Sequence, residues 1–240
     1  MTKLILLAAA AAFPLFGAYA LTANATVAGS TPANVHPTVV ELFQSQGCSS
    51  CPPANANLNA IADRPDVLAL SFAVTYWDQL GWKDTFGSPR WTARQWDYAR
   101  RAGRPQVATP QVIVNGDTTI VGSNRAQLDA VIARAGSPRG GPDLTVDHGA
   151  LKLAAGAHAA PSTVWLVRYD PRVRNVPIRA GENGGRTLPH RNIVRDLTRL
   201  GTWNGAAATF RLTPHAEQGL ASAVLVQQGS GGPIIAARRI

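Results

Sequence analysis

Cys48 and Cys51 are the only cysteines in the chain, and they stand three positions apart in Cys48-Ser49-Ser50-Cys51. A pair at this spacing can be half of a zinc site, a structural bridge or a redox couple. Zinc needs a second pair of ligands at a matching interval, and the sequence has none. A bridge across so short a loop constrains few unfolded states, so it is a weak staple for a chain of 240 residues. Thiol–disulfide exchange is the chemistry that best fits two isolated thiols. It requires no cofactor and no metal.

In an oxidising compartment such a pair can hold a disulfide, and the first residues point to one. Lys3 is followed by an apolar stretch from Leu4 to Phe16, interrupted by Pro14 and too short for a stable membrane span. Ala18-Tyr19-Ala20 has the small-x-small form of a cleavage site. Residues 1–20 are therefore expected to be a signal peptide, cut after Ala20 or, as second choice, after Ala25. Residues 21–36 are a flexible lead-in. The mature chain is expected to be exported, periplasmic or secreted, with no membrane span.

The residues around the pair specify what positions it. Thr38 to Phe43 is β-branched and apolar, a buried strand. Asn55 to Ala62 reads as a helix, with Pro52 and Pro53 at its start, where a missing N–H costs least. Val67 to Val74 is a second strand. Cys48 thus precedes a helix start, where free backbone N–H groups and the helix dipole favour an anion. We therefore expect Cys48 to be the nucleophile and Cys51 the resolving thiol. The Ser49 and Ser50 hydroxyls can donate weak hydrogen bonds to sulfur.

Residues 75–103 read as a helical insertion carrying Trp77, Trp82, Trp91 and Trp96. Trp91 to Arg101 is its helix, with Arg94, Arg100 and Arg101 on the wet side. The tryptophans are either core of this insertion or the lining of a groove for an unfolded client. Beyond them, Val112-Ile113-Val114 and Thr118 to Val121 flank Asn115-Gly116, a strong hairpin signal. Ser123 or Asn124 can cap a helix over 125–134. The order is β-α-β, helical insertion, β-β-α, spanning residues 37–136.

Residues 137–143 read as a linker rich in Gly and Pro. From 144 to 240, short apolar runs alternate with turn residues, which predicts a small antiparallel, sandwich-like β domain. The net charge of +9 comes from scattered arginines, and residues 139–240 carry thirteen basic and six acidic side chains. No zinc-finger, aromatic RNA-binding or basic zipper pattern accompanies that charge, so a nucleic-acid partner is not expected. His36 falls in the lead-in, and His148, His158, His190 and His215 in turns of the second domain. A lone histidine in a turn is ordinarily solvated.

The string Val40-Glu41-Leu42-Phe43-Gln44-Ser45-Gln46-Gly47-Cys48-Ser49-Ser50-Cys51-Pro52-Pro53-Ala54 closely resembles the opening of the bacterial "domain of unknown function 1223" family. Residues 76–84, 109–116, 179–183 and 201–203 resemble its further signatures. This resemblance implies an exported protein with a thioredoxin-like fold and a redox-active cysteine pair, and it carries no established activity. The wider thioredoxin-like superfamily places a cis-proline across from the pair, a position matched by Thr109-Pro110. In cis, Pro110 would turn the Thr109 backbone toward the cysteines, where it could pair with a client. Glu41, one residue beyond the usual spacing, corresponds to the superfamily's buried acid. It would act as a proton relay to Cys51 or, alternatively, stand as a paired strand-edge carboxylate.

Three functions follow as expectations. The first is disulfide exchange with exported protein clients or a redox partner protein. The second is a copper-handling protein of the thioredoxin-like kind, since two thiolates suit Cu(I). The third is an envelope interaction protein whose disulfide is inert and whose basic β domain binds.

Overall fold

A computed structural model describes residues 1, 36–157, 160–214 and 217–240. The expected signal peptide, its cleavage sites and most of the lead-in lie outside the described residues, as do His158 and His215.

The first half runs β1 (Thr38–Gln44), α1 (Pro52–Ile61), β2 (Val67–Ala73), a 3₁₀ turn at Asp78–Leu80, α2 (Pro89–Arg101), β3 (Gln111–Val114), β4 (Thr118–Ile120) and α3 (Arg125–Ala135). β1 and β2 are parallel, with Thr38 opposite Val67, and α1 forms their crossover. β3 runs antiparallel to β1 and turns through Asn115 and Gly116, both at positive φ, into β4. Gly116 leaves room that no side chain could share, because a Cβ there would stand 2.4 Å from the Gly232 carbonyl oxygen.

The second half consists of β5 (Leu144–Asp147), β6 (Ala150–Leu153), β7 (Ser162–Asp170), β8 (Arg174–Pro177), β9 (Thr187–His190), β10 (Ile193–Trp203), β11 (Ala208–Arg211), β12 (Ala221–Gln228) and β13 (Ile234–Arg239). Four of these strands extend the first-half sheet, giving one eight-stranded sheet in the order β13-β12-β7-β10-β2-β1-β3-β4. The join is a short parallel contact, Ile193 opposite Ser71. Asn192, at positive φ, secures it: its side chain donates to the Ala69 carbonyl, and its own carbonyl accepts from Ser71 N–H. The boundary expected at 137–143 therefore does not interrupt the sheet, and residues 34–240 form one compact unit.

Alternation along β1 and β2 separates two cores. Val39, Phe43, Leu68, Leu70 and Phe72 face α2, together with Val167, Val194 and Leu225 from the second half. Val40, Leu42, Val67 and Ala69 face α1 and α3. Beyond the join, the three-stranded sheet β11-β6-β5 packs Leu144, Leu151 and Leu153 against Val164, Leu166, Trp203 and Val224 of the large sheet. Trp91 is core of the α2 face, and Trp77 packs partly buried against it.

Arg94, expected on the wet side of α2, is buried. Its guanidinium is drawn in by the buried Glu41 carboxylate, to which Nε donates at 2.7 Å. His190, expected in a turn, lies in β9 and is buried. Among the described residues no helix is long and apolar enough to cross a membrane.

Candidate functional site

The cysteine pair sits where β1 hands over to α1. The chain leaves β1 at Gln44, and a tight turn brings Cys48 N–H to the Ser45 carbonyl at 3.2 Å. A second turn brings Cys51 N–H to the Cys48 carbonyl at 3.2 Å. Cys51 is the N-cap residue of α1, with Pro52 and Pro53 just inside the helix. No side chain caps this end, and Pro52 and Pro53 carry no N–H, so what the first turn offers the pair is the positive end of the helix dipole. Cys48 and Cys51 form a disulfide, with their Cα atoms 5.4 Å apart.

Three segments converge on it. Thr109 and Pro110 are joined by a cis peptide bond. The Thr109 carbonyl accepts from Ser50 Oγ at 3.5 Å, and the Thr109 hydroxyl accepts from Trp77 Nε1 at 2.7 Å. Ser50 Oγ also lies 3.3 Å from Cys48 Sγ. The structure thus brings Thr109, Pro110, Ser49 and Ser50 to the pair. A groove of about 440 Å³ begins at Pro110 and continues past Val107, Gln111, Ile120 and Val121.

The insertion braces the turn before Cys48. Gln46 N–H donates to Asp84 Oδ2 at 2.7 Å, and the Gln46 side-chain oxygen accepts from Trp82 Nε1 at 2.9 Å. Burial pushes the Asp84 carboxyl up to about 6, against the backbone N–H groups that favour its anion.

The third segment comes from the second half. Asn183, fully buried, donates through Nδ2 to the carbonyls of both Gln46 and Cys48, at 2.9 Å each. Arg186 Nη1 holds its amide oxygen at 2.8 Å. The neighbouring Glu182 accepts from Ser49 N–H at 2.9 Å, and this bond keeps the carboxyl below its ordinary range. Gly181, at φ +71°, lets the loop pass within reach of Trp82: a Cβ there would lie 3.3 Å from the Trp82 Cβ. This loop over residues 179–186 is thereby bonded to the backbone on either side of Cys48, and Cys48 and Cys51 are 0% and 1% exposed.

Glu41 does not join the site. It faces α2, while Cys51 caps the helix packed on the other face of the sheet. Along a strand, one residue of offset exchanges faces, so a seven-residue spacing puts the carboxylate on the wrong side to relay a proton to Cys51. Arg94 and the Tyr98 hydroxyl take both its oxygens.

Sequence reasoning missed Glu182 and Asn183 as site residues. Their only signal was membership of the Arg179–Asn183 signature, because nothing local reveals that a loop more than 130 positions away bonds to the Cys48 carbonyl. Among the described residues no cluster of three or more His, Cys, Asp or Glu could hold a metal ion.

No curated protein matches the chain. A protein from Agrobacterium tumefaciens, solved by X-ray crystallography, is 31% identical, covering 85% of this chain and 93% of its own, with a TM-score of 0.68. HBP35 of Porphyromonas gingivalis is 14% identical, covering 86% of this chain and 75% of its own, with a TM-score of 0.57, a likeness of fold alone. A family model, "Protein of unknown function (DUF1223)", matches residues 39–227, and the chain belongs to that family.

Proposed function

We propose that the chain is an exported thiol–disulfide protein of thioredoxin-like fold, exchanging disulfides with protein clients or a redox partner through Cys48 and Cys51. The observation that carries this reading is the disulfide at the uncapped head of α1, with the Thr109 carbonyl beside it. In the reduced protein, the positive end of the α1 dipole favours a Cys48 thiolate. It attacks a client disulfide, forming a mixed disulfide and releasing one client thiolate. Cys51 then attacks Cys48 Sγ, restoring the Cys48–Cys51 bond and releasing the second client thiolate.

The loop over residues 179–186 gates this chemistry. Closed, it shields the sulfurs, and Glu182 occupies the Ser49 N–H with a negative charge that opposes a Cys48 anion. Displaced, it uncovers Cys48 and frees that N–H for the sulfur. A client strand then finds the groove beside Pro110.

The test is a titration of the pair against glutathione, together with insulin reduction. Activity that survives Cys48→Ser refutes exchange through this pair. One observation favours a second reading, an envelope interaction protein with an inert disulfide: both cysteines are shielded. That reading predicts that Cys48 resists alkylation even in the reduced protein, whereas exchange predicts rapid labelling.

A further inference from the structure

Two pockets meet on the β3–β4 end of the large sheet. One, of about 440 Å³, runs from the cis Pro110 past Val107, Ile120 and Val121. The other, of about 220 Å³, continues over Ile113 and Gly116 to Gly231 and Pro233, at the turn between β12 and β13. Arg104, Gln111 and Thr119 line both, so the two form one channel. From Pro110 to Gly116 it follows β3 for about 20 Å, the length of roughly six extended residues. Its floor is pinned in advance. Gln95 Nε2 donates to the Ala108 carbonyl and to Gln111 Oε1, at 2.8 Å each, and Gln111 Nε2 donates to Thr119 Oγ1 at 3.0 Å. β4 is the last strand of the sheet, and its outer edge makes no backbone hydrogen bond among the described residues. An extended chain beside Ile120 can therefore add main-chain bonds to side-chain contacts.

The two ends of the channel differ in character. Near Pro110 it is apolar, and Val121 there is 55% exposed. Farther along it is cationic. Arg101 and Arg104 are exposed, and among the described residues neither has an ion pair or a side-chain hydrogen bond. The neighbouring Arg100, by contrast, is paired with Asp97. The backbone of Arg104 is fixed, since its N–H donates to the Ala99 carbonyl at 2.8 Å. A Cβ at Gly232 would stand 3.3 Å from Arg101 Cζ, which places that guanidinium at the far end of the channel. Asp117 is the one carboxylate in the lining, so the two cations outnumber it.

We propose that this channel selects the client: it takes an extended peptide segment that is apolar next to its cysteine and acidic a few residues away, with the carboxylate held by Arg104 and Arg101. The proposal rests on the exchange reading above and names the substrate class of that site. The client's cysteine lies beside the Thr109 carbonyl, its apolar residues fill the groove at Val107, Ile120 and Val121, and its acid reaches the unpaired guanidinium groups. Opposite charge on a partly enclosed surface favours that register, and a basic client is repelled from it.

The reduced full chain is mixed with short peptides whose cysteine is joined by a disulfide to a coloured aromatic thiol. Cys48 attacks the peptide sulfur and releases the coloured thiolate. Cys51 then attacks Cys48 Sγ and releases the peptide thiolate, so the chain's dithiol is oxidised and the mixed disulfide reduced. The peptides share apolar residues next to the cysteine and carry Glu, Gln or Lys about four residues away, on either side. Release is expected to be fastest with Glu and slowest with Lys, roughly two- to fivefold apart at each step. The spread should close at about 1 M salt, where the Debye length falls to about 3 Å. Arg101→Glu with Arg104→Glu should reverse the order. Arg104→Glu alone should narrow it, and this variant decides the matter should the double variant fail to fold. Equal release of the three peptides by the wild type, or an order unchanged in the variants, overturns the channel and leaves exchange standing. A wild type that releases no coloured thiolate from any peptide refutes exchange itself. The channel is then tested by fluorescence anisotropy with serine in place of the peptide cysteine: tighter binding of the Glu peptide upholds it, and equal binding overturns it.

Discussion

Replacing Asn183 by alanine removes the one side chain that holds the 179–186 loop onto the carbonyls of Gln46 and Cys48. Each bond contributes roughly 0.5–1.5 kcal/mol net, and a carbonyl left dry costs about 1–3 kcal/mol. Because the loop can lift and let water reach both carbonyls, the lower part of that range applies, about 2–3 kcal/mol in all. Spread over a unit of this size, that loss lowers Tm by roughly 4–12 °C. The same energy weights the closed loop against the open one, so the open population rises roughly 30- to 140-fold. The rate at which a bulky phosphine reduces the Cys48–Cys51 disulfide should rise by a comparable factor, read by alkylation of the freed thiols. A Tm that falls while the reduction rate stays at the wild-type value would refute the gate, since Asn183 would then brace the fold without controlling access.

Other outcomes follow from the buried charges and contacts. Arg94→Met leaves the Glu41 carboxylate dry and uncompensated. It should cost about 3–5 kcal/mol in urea unfolding, and Glu41→Leu with Arg94→Met should restore most of it. His190 and Asp84 pull stability in opposite directions with pH. The imidazole, depressed by burial from 6.5 to about 4, contributes stability that is present above pH 6.5 and lost as pH falls toward 4. The carboxyl, raised by burial from 3.8 to about 6, contributes stability that is present below 3.8 and lost as pH rises through 6. Each is worth about 3 kcal/mol, so the wild-type stability is nearly flat from pH 4 to 6. His190→Leu should weaken with rising pH over that span and Asp84→Asn should strengthen, both read from urea midpoints. Thr109→Val breaks the Trp77 bond and should cost about 1 kcal/mol in thermal unfolding, without changing the fold.

Local physics made part of the molecule legible. β1, α1 and β2 announce themselves through branched apolar runs around a proline-headed helix, and Asn115-Gly116 marks the turn between β3 and β4. The cysteines could be placed at a helix start because that placement depends on neighbours in the chain. What was not legible depends on pairings far apart in sequence. β9 carries Pro189 and one turn of alternation, too little to mark His190 as a buried residue. Arg94 resembles any solvated arginine of an amphipathic helix until Glu41, fifty-three positions earlier, faces it. The glycine- and proline-rich segment at 137–143 has the composition of a hinge. The join at Asn192 nonetheless makes the strands on either side neighbours in one sheet.

That join constrains how the chain can be divided. A fragment ending near residue 143 would keep the cysteines and their helix but leave β2 as a bare, apolar sheet margin, an invitation to pair with other copies. It would also lack Glu182 and Asn183, leaving the Ser49 N–H and the Cys48 carbonyl without those partners. The half that carries the cysteines and the half that bonds to their turn are therefore suited to be purified only together.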